Sequence, residues 1–152
     1  MAAGLAGLLR EFEVRRFPEG TRTAEDAARA IGCELGQIVK SLVFIAAGKP
    51  VVALVSGENR LDPRRLAGIA GEPVAKADAE TTRAATGFAI GGVPPFGHSS
   101  ALPVYIDRDL LGYPLVWAAA GRPDSVFAIE PARLLEVSGG QPADLKSIGR
   151  VA

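Results

Sequence analysis

The pattern of apolar and polar positions predicts many short strands. Residues 11–15 alternate with period two, whereas residues 41–47 form a continuous apolar run typical of a strand buried on both faces. Turn residues at 48–50 precede a second apolar run, so the two runs are predicted to pair as a hairpin. The other predicted strands cover residues 51–55, 74–75, 88–90, 102–106, 115–119 and 126–129.

Helix signals lie between these runs. Thr23 and Gly32 are the expected first and last boundaries of a helix over residues 24–31, and Asp62-Pro63 is expected to begin a helix that ends near Ile69. Two further helices are predicted over residues 78–85 and 131–135. Helices and strand pairs follow one another irregularly, which favours an α+β fold. We expect one domain over residues 1–152, with residues 1–10 either frayed or packed as a short amphipathic helix.

Composition narrows the function classes. The chain has 152 residues, 17 Lys plus Arg, 17 Asp plus Glu, one Cys and one His, and its formal net charge is zero. A net charge of zero excludes nucleic-acid binding through bulk positive charge, although a local patch stays open. One Cys excludes an internal disulfide, and one Cys with one His is too few for a zinc site, so no metal or other cofactor is expected.

No motif of a nucleotide-binding loop, a zinc protease or a serine hydrolase occurs in the sequence. A nucleophilic pair of Cys33 and His98 is conceivable, but a free cysteine is more often a small buried apolar residue. The apolar start of the chain lacks a basic region and is too short to span a membrane, so a cytoplasmic protein without a membrane partner is expected.

Two segments carry candidate chemistry. Lys40 lies where a helical turn meets the most apolar strand, so its ammonium is expected beside buried surface, where it would stabilise a developing oxyanion or simply extend to solvent. In the loop of residues 91–98, Gly91 and Gly92 permit positive φ and close approach of a ligand to backbone amides. The alternative for this loop is a rigid turn between strands.

These segments resemble a known family. Residues 37–44, which read QIVKSLVF, and residues 86–98, which read TGFAIGGVPPFGH, are similar to the YbaK/EbsC family of free-standing aminoacyl-tRNA deacylases. This family is related to the editing domain of bacterial prolyl-tRNA synthetase. Further similarity extends from about Thr21 to Leu135. The resemblance implies a curved, mixed and largely antiparallel sheet of about six to seven strands with flanking helices.

The resemblance also implies a reaction, the hydrolysis of the ester that joins a wrong amino acid to transfer RNA. In the family, the lysine matching Lys40 is essential, and the loop from Gly91 to Pro95 holds the aminoacyl carbonyl through backbone amides. Water attacks, helped by a ribose hydroxyl, and Lys40 either anchors the substrate or stabilises the oxyanion. Catalytic roles are therefore expected for Lys40, Gly91 and Gly92.

A small apolar pocket is expected, which favours Ala, Ser, Thr or Cys as the amino acid removed. Some family members have Ser-Gly-Gly where this chain has residues 118–121 as Ala-Ala-Ala-Gly, so a preference for cysteine is not carried over. His98 is expected to be either a pocket residue or an imidazole that caps the turn. The expected substrate-binding residues are Phe44, Val93, Pro94, Pro95, Phe96 and His98.

Transfer RNA needs local positive charge. Arg22, Arg64 and Arg65 are the expected phosphate contacts, within two basic groups that also contain Arg15, Arg16, Arg29, Arg60 and Lys76. The expected partners are aminoacyl-tRNA and an aminoacyl-tRNA synthetase, and the protein is expected to be a monomer or a homodimer. Two alternatives stay open: a non-catalytic module that binds a ligand or a synthetase, and a hydrolase of another small acyl ester.

Overall fold

The computed structural model describes residues 4–18 and 23–148. Within them lie five α-helices and eight strands. The α-helices are α1 (Leu5–Leu8), α2 (Ala24–Ile31), α3 (Pro63–Ala70), α4 (Ala79–Thr86) and α5 (Pro131–Ser138). The strands are β1 (Val14–Arg16), β2 (Val39–Ala46), β3 (Lys49–Ser56), β4 (Val74–Lys76), β5 (Val104–Asp107), β6 (Val116–Ala119), β7 (Ser125–Ile129) and β8 (Gln141–Ala143).

The described strands form two sheets. One has the order β4-β2-β3-β5-β8 and the other the order β1-β7-β6. The pairs β3–β5 and β5–β8 are parallel, and the remaining pairs are antiparallel. This confirms the α+β class and the mixed, largely antiparallel pairing. The division into two sheets and the strand β8 were not predicted; β8 reads Gln-Pro-Ala, which has no strand pattern.

The hairpin of β2 and β3 lies in the middle of the five-stranded sheet. Its turn is Ala47-Gly48, where both residues have positive φ, as the two-residue turns that match strand twist require. Residues of opposite parity on β2 face different cores. Val39 and Val43 pack between the two sheets, whereas Phe44 packs toward α3. Lys40 has the parity of Phe44, and it pairs with Val55 of β3.

The predicted helix boundaries are confirmed where a capping residue is present. The Thr23 hydroxyl accepts from the Asp26 N–H at 3.0 Å, and the Asp62 carboxylate accepts from the Arg64 N–H at 2.9 Å. Gly32 ends α2 with a φ of 84°. These caps fix the residues at which α2 and α3 begin.

The strand predicted at residues 88–90 was wrong, and the first strand begins later than predicted. Residues 88–90 form a turn, because the Thr86 hydroxyl accepts from the Phe88 N–H at 3.0 Å and the Gly92 N–H donates to the Ala89 carbonyl at 2.9 Å. The first strand starts at Val14, since residues 9–11 are a 3₁₀ helix. This helix continues α1, and the Leu5, Leu8 and Leu9 side chains pack on the core between the sheets.

Candidate functional site

A cavity of about 250 Å³ lies between α2, β2, β6 and the loop after α4; we name it the apolar cavity. Its polar side chains are those of Thr23, Lys40 and Ser41, and Gly91 contributes backbone. The apolar residues in its wall are Ala24, Ala27, Ile38, Val39, Leu42, Ile90, Val93, Trp117, Ala118, Ala119 and Val126. It is smaller than the roughly 300–1,000 Å³ of sites for drug-sized ligands, so it suits a small group.

A second cavity, of about 650 Å³, lies on the α3 side of β2; we name it the charged cavity. Lys40, Arg60 and Lys76 line it together with Glu25 and Glu58. Lys40 and Leu42 line both cavities. The Lys40 side chain therefore lies at the junction of the apolar cavity and the charged cavity.

Lys40 is half-buried, and its Nζ donates to the Asn59 carbonyl oxygen at 2.5 Å. Burial lowers the pKa of Lys40, and the charges of Glu25 and Asp107 oppose this shift. No carboxylate lies within ion-pair distance of Nζ in the part of the chain that the structure describes. Since an ammonium has three N–H donors, two of them remain available to a ligand.

The glycine loop lies beside the apolar cavity. Gly91 is exposed and has a φ of 90°, with open space where a Cβ would stand. The Gly92 N–H closes the turn to Ala89, and a Cβ on Gly92 would lie 3.0 Å from Arg122 backbone atoms. Gly92 therefore holds the loop in place. The N–H groups of Gly91 and Val93, both in the cavity wall, make no hydrogen bond to the described residues.

The rest of the loop packs into the protein interior. Pro94 and Pro95 are buried, and Phe96 packs against Phe12 and Phe127 with ring centroids 6.3 and 5.6 Å apart. His98 Nε2 lies 2.8 Å from the Pro94 carbonyl oxygen; since a carbonyl only accepts, Nε2 carries the proton. Burial lowers the pKa of His98. The structure thus places these four residues behind the cavity wall.

Only some of the residues expected in the pocket line the apolar cavity. Val93, Ala118 and Ala119 line the apolar cavity. Phe44 lies on the other face of β2 and lines the charged cavity. Cys33 is half-buried with the apolar residues around α2, and burial raises the pKa of its thiol. The structure shows no contact between it and His98 among the described residues.

The basic residues divide into paired and unpaired groups. Arg16 lies 3.2 Å from Asp124 and Arg29 lies 3.9 Å from Asp26, while the Arg15 guanidinium stacks 4.9 Å from the Trp117 ring centroid. Arg22 lies outside the described residues.

The two arginines of α3 face different surfaces. Arg64 lines a surface cleft with Arg60, next to the charged cavity. Arg65 lies in another cleft with Arg108 and Asp144. Arg60, Arg64 and Lys76 are unpaired among the described residues, so positive charge near Lys40 is available to a ligand.

Sequence reasoning missed three residues at this site. Asn59 supplies the carbonyl that holds Lys40, and Trp117 forms part of the apolar wall. Ile90 lies at the same wall with 53% of its surface exposed. The missed strand break at residues 88–90 hid Ile90, and no local pattern marks Asn59.

Every helix in residues 4–18 and 23–148 is too short or too polar to span a membrane. No group of three or more His, Cys, Asp or Glu residues there is arranged to hold a metal ion.

Comparison with known proteins agrees with this fold. Residues 18–137 match the aminoacyl-tRNA editing domain family. The chain belongs to this family, and the resemblance seen in residues 37–44 and 86–98 is confirmed.

Individual relatives connect the family to prolyl-tRNA synthetase. EbsC of Enterococcus faecalis, described as a candidate deacylase of Cys-tRNA(Pro) and Cys-tRNA(Cys), is 30% identical over 138 residues, which are 90% of this chain and 84% of that protein. A proline–tRNA ligase of Solidesulfovibrio magneticus is 37% identical over 60% of this chain and 16% of the ligase. A solved structure described as a candidate trans-editing enzyme for prolyl-tRNA synthetase has 47% identity and a TM-score of 0.89, and the similarity covers 97% of this chain and 100% of that one.

Proposed function

We propose that this protein hydrolyses the ester bond between a small amino acid and transfer RNA, after a synthetase has released the mischarged product. The observation that carries this proposal is the position of Lys40 at the junction of the two cavities. The aminoacyl group occupies the apolar cavity, the terminal nucleotide occupies the charged cavity, and the ester that joins them lies beside Lys40.

The unpaired donors around this junction support the assignment. Two N–H donors of Lys40 and the free N–H groups of Gly91 and Val93 are available to oxygens of the ester. A tetrahedral intermediate carries negative charge on the former carbonyl oxygen. Positioned donors therefore stabilise this intermediate more strongly than they stabilise the neutral ester of the ground state. Catalytic roles are therefore proposed for Lys40, Gly91 and Val93, while Gly92 keeps the loop in place.

The reaction needs only water as the second reactant. Water oxygen bonds to the carbonyl carbon, the bond from that carbon to the ribose oxygen breaks, and the proton goes to the ribose oxygen. The products are a free amino acid and an uncharged transfer RNA. An ester is already activated toward this attack, and the ribose hydroxyl next to the ester is positioned to assist it.

The size of the apolar cavity supports small amino acids. Ala118 and Ala119 leave its wall without polar side-chain atoms at that point. A pocket lined in this way discriminates poorly against an added hydroxyl, by only about 10². Overlapping activity on Ala, Ser and Thr is therefore expected, with aromatic amino acids excluded by volume.

The test is incubation of the purified protein with transfer RNAs charged with Ala, Ser, Thr, Cys, Pro and Phe, while the loss of each amino acid is followed. Release of one or more small amino acids and retention of Phe is the expected result. The absence of turnover on every substrate would contradict the proposal and favour a binding module of the same fold.

A further inference from the structure

We propose that Asp107 and Asn59 are positioning residues for Lys40, and that they hold its ammonium at the junction of the two cavities. The inference rests on the proposed function for its catalytic consequence, but the coupling of the three residues can be tested without turnover. None of the three is a neighbour in sequence of the others.

The turn after β3 fixes the acceptor that Lys40 uses. The Asn59 N–H donates to the Ser56 carbonyl at 2.9 Å, and the Gly57 N–H donates to the Ile38 carbonyl at 2.7 Å. The backbone carbonyl of Asn59 then accepts from Lys40 Nζ at 2.5 Å. The position of the ammonium therefore depends on the position of this turn.

Asp107, at the end of β5, accepts hydrogen bonds from this turn. One of its carboxylate oxygens accepts from the Asn59 side-chain amide at 2.8 Å and from the Ser56 N–H at 3.0 Å. Its other oxygen accepts from the Asp109 N–H at 3.0 Å. The residue is only 2% exposed, so these bonds compensate a carboxylate that has left water.

The charge of Asp107 has no cation of its own. Among the described residues no Lys or Arg lies within ion-pair distance of it, whereas the neighbouring Asp109 is paired with Lys146 at 2.9 Å. The negative charge of Asp107 therefore acts on Lys40 and favours its protonated form. The other charged groups around Lys40 are Glu25 of α2, Glu58 and Arg60 of the turn, and Lys76 of β4.

The test compares Asp107→Asn with the unaltered protein in two measurements. Steady-state deacylation should show kcat reduced about 10- to 100-fold, since small displacements of a catalytic group have effects of this size. KM should change less than about threefold, because the substrate contacts remain. Asp144→Asn is the matched control, since Asp144 is exposed and paired with Arg108 at 3.3 Å; its kcat should equal that of the unaltered protein.

The second measurement is an NMR titration of the protein with ¹³C-labelled lysine. The chain has four lysines, so the Lys40 signal is identified by its loss in Lys40→Met. Loss of the Asp107 charge should lower the pKa of Lys40 in Asp107→Asn, and Asp144→Asn should leave it unchanged. This result is expected even if the unaltered protein hydrolyses no aminoacyl-tRNA, an outcome that would contradict the proposed function alone.

An unchanged Lys40 titration in a folded Asp107→Asn protein would overturn the inference. A loss of kcat that only follows a loss of folded protein would overturn it as well, since it would show a purely structural role. If Asp107→Asn does not fold, Asn59→Ala replaces it, because this variant keeps the backbone carbonyl but removes the side-chain amide that donates to Asp107 and Asp109. Unaltered kcat in folded Asn59→Ala would also refute the inference.

Discussion

At the residue scale, the ammonium of Lys40 is the feature on which the proposed chemistry depends. Lys40→Met replaces the side chain by an apolar one of similar shape as far as Cε and removes the ammonium. We expect deacylation to fall by more than about 100-fold while the thermal melting temperature stays close to that of the unaltered protein, because oxyanion donors have effects of this size. A rate within about tenfold, equivalent to roughly 1.4 kcal/mol, would remove Lys40 from the catalytic site.

The two loop glycines should respond differently to the same substitution. Gly91→Ala meets no neighbouring atom but must adopt a φ of 90°, which costs about 1–3 kcal/mol unless the loop shifts. Gly92→Ala would place its Cβ 3.0 Å from the Arg122 backbone. We therefore expect Gly91→Ala to lose kcat more than stability, and Gly92→Ala to lose stability first.

Paired thermal melts and single-turnover deacylation measure this difference. Equal and proportional losses of stability and activity in Gly91→Ala would show that the residue is only a turn residue. The proposed catalytic role of the Gly91 N–H would then be wrong.

At the scale of elements, the end of α4 determines where the glycine loop lies. The Thr86 hydroxyl is buried, donates to the Thr82 carbonyl at 2.8 Å and accepts from the Phe88 N–H at 3.0 Å. Thr86→Val removes both bonds and leaves the Phe88 N–H without its acceptor. We expect a loss of about 1–3 kcal/mol in unfolding free energy, measured by denaturant titration.

Ser100→Ala is the control for this change, because its hydroxyl bonds to the Ala85 carbonyl at 3.3 Å on the exposed side of the same helix end. If Ser100→Ala lowers the unfolding free energy as much as Thr86→Val does, the buried hydroxyl contributes no more to stability than the exposed one. Activity in Thr86→Val should fall as well, since the loop carries the Gly91 and Val93 amides.

The sequence patterns predicted those elements that local chemistry marks. Thr23 and Gly32 are local signals for α2, Asp62 is a local signal for α3, and both helices were found. Residues 88–90 show the limit, because three apolar residues look alike whether they pair in a sheet or pack as a loop. Here the Thr86 hydroxyl decides the matter through hydrogen bonds with Thr82 and Phe88, which the apolar pattern of residues 88–90 does not reveal.

The candidate site shows the same division. Lys40 and Gly91 could be predicted because a polar residue at an apolar strand and a glycine pair in a loop are visible in the sequence, and both residues line the apolar cavity. The assignment of Phe44 and Phe96 to one pocket had no such support, since strand parity places Phe44 on the α3 side and the aromatic cluster takes Phe96. Asn59 contacts Lys40 through its backbone, which no residue type reveals.

At the scale of the whole molecule, the proposed function requires a chain of zero net charge to bind transfer RNA through few cations. Arg64 faces the cleft next to the charged cavity, and Arg65 on the same helix faces Arg108 and Asp144. Arg64→Ala should weaken transfer-RNA binding and reduce the slope of log K against log salt by about one. Arg65→Ala should have less effect on both quantities.

Fluorescence anisotropy with labelled transfer RNA at several salt concentrations measures both variants. Equal effects of the two substitutions would place the transfer RNA across α3 and not along the charged cavity. A larger effect of Arg65→Ala would reverse the proposed orientation.

Stability of the whole molecule should depend on pH through His98. Burial lowers the pKa of His98 in the folded state below its ordinary value of 6.5. The unfolded chain therefore binds a proton first as the pH falls, and the free energy of unfolding should decrease from about pH 6.5 downward until the folded-state pKa is reached.

Denaturant titrations at pH 7.5, 6.5 and 5.5 measure this dependence. His98→Gln has no titrating group at this position, so its unfolding free energy should vary less over the same range. An equal slope in both proteins would assign the dependence to other groups.

The junction at Lys40 also has a consequence for inhibitor design. A compound that fills only the apolar cavity or only the charged cavity reaches this side chain from one side, so free amino acids and free nucleotides should compete weakly. A hydrolysis-resistant amide of a small amino acid with adenosine would reach into both cavities. Because joining two fragments makes the second contact intramolecular, its affinity should exceed what either fragment achieves alone. The architecture thus favours substrate analogues that span both cavities over fragments that fill one.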